Sequence, residues 1–175
     1  MATVGRQFVV LSADFTTTGT NPGWSQHGGS TSDLAEQVTG FAFTPEASTR
    51  YYMEGVFICR SSTALTTAGR PGLSMPTGLD ARSCYTLFGE GAINDNAATW
   101  FHWYNMLVET QRGGVIQYQH TNSDSYPVFL RGWFQTGASP VGDVQVVYGP
   151  ETLGVSVTLK AGSFIAYYQG YTGQT

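Results

Sequence analysis

From Arg50 to Arg60 the chain alternates: Tyr51, Met53, Phe57 and Cys59 fall on one face, and Tyr52, Glu54, Val56, Ile58 and Arg60 on the other. A period of two is the mark of a β-strand, and the charges at 54 and 60 identify the wetter face. The closing stretch repeats the pattern. Val155, Val157 and Leu159 alternate with Ser156, Thr158 and Lys160, Ala161-Gly162-Ser163 reads as a turn, and Phe164 to Tyr168 reads as an aromatic strand. A closing hairpin is therefore predicted. Further strands are predicted over Arg6–Ala13 (Phe8 and Val10 opposed to Val9 and Leu11), Gln37–Phe43, Ser83–Phe88, Thr99–Glu109, Val115–His120, Val128–Gln135 and Gly142–Tyr148.

Between these segments lie clusters of Gly, Pro, Asn, Asp, Ser and Thr, the residues that favour turns. Thr16–Asp33 and Ser61–Leu79 are long runs of this kind and read as loops. Helical periodicity is confined to one possible turn at Ser32–Gln37. The expected fold is all-β: a single β-sandwich or jelly roll of about eight antiparallel strands, with long N-terminal and mid-chain loops. Residues 1–175 form one domain in this reading, with 14–35 as an extended loop or arm.

Composition sharpens the picture. Charged residues make up 11% of the chain and aromatics 14%, against about 25% charged in an average soluble protein. Few charges and many aromatic rings suit surfaces that associate. The net charge is −4 and the pI about 5.2, with one lysine and seven scattered arginines, so no nucleic-acid partner is expected. No window is long and apolar enough for a membrane-spanning helix, and no membrane partner is expected. Residues 1–8 lack a basic start followed by an apolar run, so no secretory signal is read. Cys59 and Cys84 are then expected to be reduced thiols acting as small core residues.

Candidate chemistry is sparse. His27, His102 and His120 are far apart, with no HxH or CxxC spacing, and no metal or cofactor is expected. Asp95 and Asp124 sit in turn clusters, where Asp commonly bonds its own backbone. A Ser25/His27 pair lacks an orienting third group, and Glu54 and Glu109 read as solvent-facing or paired with arginines such as Arg60 or Arg131. No enzymatic activity is expected. Trp24, Trp100, Trp103 and Trp133 are candidates for sugar stacking, weighed against packing in the core or at a subunit interface.

Four short motifs occur in order along the chain: Leu11-Ser-Ala-Asp14, Val38-Thr-Gly-Phe-Ala-Phe43, Ala47-Ser-Thr-Arg-Tyr51 and Val157-Thr-Leu-Lys-Ala-Gly-Ser163. Together they resemble a β-sandwich module of bacteriophage virion proteins, although 89–103 is more aromatic than that pattern. The resemblance implies a structural protein on the particle surface, assembled in the host cytoplasm. No fibre-like shaft precedes Leu11, so the expectation is a capsid decoration (cement) protein. The alternative is a tail-fibre-type, receptor-binding module that recognises a host cell-surface glycan. Implied partners are further copies of the chain in a homotrimer and the major capsid protein or another virion protein.

Trp24, His27, Trp100, His102, Tyr104 and Trp133 are the candidate interface residues. Both faces of 99–109 are bulky and apolar. Trp103, with Phe101 and Leu107, is expected to face the core. Trp100, His102 and Tyr104 are expected to meet a partner, in an aromatic interface that survives high salt.

Overall fold

The computed structural model describes residues 5–19, 36–61, 69–79, 84–89, 125–150 and 154–170. Among them are eleven strands and no helix: β1 (Gln7–Val10), β2 (Phe15–Thr17), β3 (Glu36–Phe43), β4 (Arg50–Ser61), β5 (Gly69–Ser74), β6 (Thr77–Leu79), β7 (Cys84–Gly89), β8 (Tyr126–Val141), β9 (Val144–Pro150), β10 (Val157–Leu159) and β11 (Phe164–Gly170). Every pairing is antiparallel. The predicted strands over 99–109 and 115–120 lie outside the described residues.

β4 is the centre of an eight-stranded sheet. One of its edges pairs with β8 over ten residues, Arg50↔Gln135 to Cys59↔Tyr126. β8 carries β7 and β6 on its far side. The other edge of β4 pairs with β11 and β10, which carry β1 and β2 in turn. A second sheet, β3-β9-β5, has three strands. The core lies between the sheets and follows the alternation of β4: Tyr51, Met53, Phe57 and Cys59 are buried, against Val38, Phe41 and Phe43 of β3, Val144, Val146 and Tyr148 of β9, and Leu73 of β5. Hydrophobic burial between two sheet faces is the dominant stabilising term in such a fold. The sandwich expected from the sequence is the fold observed.

The closing hairpin is not formed. β10 pairs with Cys59–Ser61 and β11 with Arg50–Val56, on the same edge of β4, so the two run end to end in one direction. Residues 160–163 bulge between them, opposite only Phe57 and Ile58 of β4. Gly162 takes the turn at a φ of 88°, a conformation costly for residues with a β-carbon. The Ser163 hydroxyl replaces the missing ladder group: it accepts from the Ile58 N–H at 2.9 Å and donates to the Lys160 carbonyl at 2.8 Å. The first strand bulges alongside, with the Leu11 N–H donating to the Ser163 carbonyl and the Gly162 N–H to the Leu11 carbonyl. β10 already has partners on both edges, β2 and β4, and has no edge left for β11.

Ser163 is fully buried, and Ser163→Ala would strand the Ile58 N–H. The expected loss is about 1–3 kcal/mol, the usual cost of an unsatisfied buried donor. It should appear in urea unfolding as a lower midpoint at unchanged slope. A loss below about 0.5 kcal/mol would show that the bulge does not depend on this hydroxyl.

Two more expectations need correction. Ser61–Leu79, expected as a loop, contains β5 and β6. Gly69 and Pro71 are tolerated because β5 is an edge strand pairing only with β9 among the described residues, and because the Tyr148 ring occupies the place of a β-carbon at 69. Residues 15–17, expected to open the arm 14–35, are strand β2 on β10. Within β3 the alternation slips: Gly40 (φ 75°) marks a bulge, so that Val38, Phe41 and Phe43 all face inward. The Gln145 side-chain amide reaches into that bulge, donating towards the carbonyls of Val38 (2.8 Å) and Phe41 (3.3 Å).

Candidate interaction surface

The even-numbered residues of β4 point out of the sandwich, and register places matching residues beside them. One row across the sheet is Tyr168, Tyr52 and Trp133; the next is Phe8, Ala166, Glu54 and Arg131; the third is Val10, Phe164, Val56 and Phe129. Phe8 is 55% exposed, Val10 52% and Tyr52 50%. A sheet face exposed to water ordinarily alternates to polar residues. This one does not.

Arginines frame the apolar rows. Arg6 pairs with Glu54 and lies over the rings of Phe8 (4.7 Å) and Tyr168 (5.5 Å). Arg50 lies over Trp133 at 5.4 Å and donates to the Gln135 side-chain oxygen at 2.9 Å. Arg60 and Arg131 are exposed, with no ion pair among the described residues. Glu54, expected to face solvent or to pair with an arginine such as Arg60 or Arg131, is exposed and does pair with an arginine. That arginine is Arg6, which reaches across from the first strand.

At one end of this face Lys160 pairs with Asp14, and Asp14 also accepts from the Ala161 N–H at 2.8 Å. The hydrogen bond from Lys160, then that from Ala161, holds the Asp14 carboxyl below the usual carboxylate range. These contacts tie the two bulged segments together.

The opposite end of the sandwich carries a second patch. Val141, at the end of β8, is 69% exposed, and the chain crosses to the second sheet through Gly142 (φ 97°) and Asp143. Thr44 donates to Asp143 at 2.6 Å, which fastens the 44–49 turn beside this tip. Thr136, fully buried, holds the other side of the turn: it accepts from the Thr49 N–H at 2.9 Å, and its hydroxyl reaches the Glu46 carbonyl at 2.6 Å. Glu46 and Asp143 are both exposed here.

Trp133 is half-buried in the middle of the outward face. The other expected interface residues, Trp24, His27, Trp100, His102 and Tyr104, lie outside the described residues, as do Trp103, Ser25, His120, Asp95, Asp124 and Glu109. Phe8, Val10, Tyr52, Tyr168 and Val141 are not among the interface residues expected from the sequence. For Phe8, Val10 and Tyr52 the signal was present, since each was assigned to a face; what was missing was which strands lie side by side. Cys59 is a free thiol in the core, where burial pushes its pKa far up, so it is unreactive in the folded chain. No group of three or more His, Cys, Asp or Glu gathers among the described residues.

No protein-family model and no curated protein matches the sequence. Among solved structures, one chain of "Structure of infectious bursal disease virus Gx strain" is similar at 12% identity with a TM-score of 0.22. The match covers 94% of this chain and 40% of that one. A likeness of that size carries no inference about function.

Proposed function

We propose that the chain is a non-enzymatic structural protein of a bacteriophage virion, acting as a decoration protein that stabilises the head surface. The observation that carries the reading is the outward face of the large sheet, where Phe8, Val10 and Tyr52 are exposed. Contiguous exposed apolar groups mark association surfaces. The ordered run of phage-type motifs from Leu11 to Ser163 gives the reading its virion setting. In it, the loops and the N-terminal arm clamp neighbouring capsomers, and the chain forms a trimer. Labelled antibody against the protein should decorate the heads of purified particles. Absence from the particle overturns the reading.

The row Tyr168–Tyr52–Trp133 favours a second reading, a receptor-binding module on the tail that stacks host glycan on these rings. Label confined to the tail tip, with host-cell adsorption lost in Trp133→Ala, would favour it over decoration.

A further inference from the structure

We propose that copies of this chain associate head to tail, with the acidic tip around Glu46, Val141 and Asp143 of one copy seated on the arginine-bearing outer face of the large sheet of the next. The inference does not depend on the virion reading.

The large exposed apolar side chains among the described residues fall in two places. Phe8, Val10 and Tyr52 lie on the sheet face, and Val141 lies on the tip. Charge separates the same two places. Arg6, Arg50, Arg60, Arg131 and Lys160, five of the eight basic residues of the chain, sit on the outer face. Arg6 and Lys160 are neutralised by Glu54 and Asp14, and Arg50 is engaged with the neutral Gln135 amide. Arg60 and Arg131 have no ion pair among the described residues, which leaves positive charge on a face of a chain whose net charge is −4. On the tip, the Glu46 and Asp143 carboxylates have no cation partner among the described residues. Each patch thus pairs exposed apolar groups with unneutralised charge, and the signs are opposite.

Complementary potential of this kind sets which surfaces meet and in what orientation. Both patches involve β8: Arg131 lies in its middle and Val141 at its end. A continuous paired strand cannot fold one onto the other, so the contact forms between copies. A contact between two different patches of identical chains is heterologous, and it closes into a ring when the rotation permits.

The test uses the full chain in analytical ultracentrifugation at micromolar concentration and low salt. The wild type should sediment as a multiple of 18.9 kDa. Arg131→Glu and Glu46→Arg should each weaken assembly by about tenfold or more, and the two together in one chain should recover most of the loss. Val141→Ser, at an exposed position, should weaken assembly while leaving the unfolding midpoint unchanged. It keeps the test open should Arg131→Glu, which faces Glu54 across the strands, disturb folding. Raising salt should weaken this contact, whereas an aromatic interface built on 99–109 would persist. A wild-type monomer, an assembly indifferent to salt and to Val141→Ser, or a double variant weaker than either single one overturns the proposal. None of these results alters where the protein sits on a particle, which the antibody label decides; a wild-type monomer would remove only the trimer from the virion reading.

Discussion

Phe57→Ala should lower the thermal unfolding midpoint by about 10 °C or more, with a stability loss of about 3–5 kcal/mol. Phe57 is fully buried in the centre of β4 and meets the edge of Phe41 with ring centroids 6.0 Å apart. That contact joins the large sheet to the small one, so truncation opens a void between layers already tied by their own backbone hydrogen bonds. Such a site relaxes little, and the void adds to the transfer loss. Differential scanning calorimetry of the purified variant measures the effect. A fall of less than about 3 °C would mean that the sheets close over the gap.

Gly55→Ala is expected to destabilise as well, although it adds only one methyl group. Gly55 faces the core between Met53 and Phe57, and a β-carbon there would stand 2.5 Å from the Phe164 carbonyl oxygen. The obstacle is backbone of the neighbouring strand immediately after the bulge, and it can yield only by separating β4 from β11. Overpacking against a rigid neighbour costs about 1–3 kcal/mol and sometimes more. The loss should register as a fall of roughly 3–10 °C in midpoint. Hydrogen exchange should rise at Phe164–Ala166 before the rest of the sheet. A variant as stable as the wild type would show that the strands have freedom to part here.

The last six of the sixteen residues of β8 lie beyond its pairing with β4, and the tip at its end owes its shape to contacts far apart in sequence. Thr136 holds the 44–49 turn across about ninety residues, and Thr44 meets Asp143 over a similar span. No local pattern contains such contacts. The acidic tip was invisible for this reason, as was the clustering of arginines on one face. The sequence shows seven arginines scattered singly; four of them, Arg6, Arg50, Arg60 and Arg131, come to one face only when β11 brings the first strand next to it and β4 pairs with β8. Trp133 was singled out as an aromatic candidate, but its neighbours Tyr52 and Tyr168 became a row only through register.

By itself the sequence determined that the chain forms strands, where most of them run, and which side of β4 enters the core. Those properties are local: alternation fixes the face of each residue, and Gly, Pro and Asn mark where a strand stops. Only the tertiary structure decided which strands pair. Ala161-Gly162-Ser163 has the composition of a hairpin turn, yet it is a bulge in one continuous edge. A shift of two residues preserves the alternation of Val157, Leu159, Ile165 and Tyr167, all on the core side. Pattern cannot separate the two outcomes, because both keep the same side chains inside. The choice falls to long-range hydrogen bonds, here those of Ser163 with Ile58 and Leu11, and to the partners that β10 already holds on both edges.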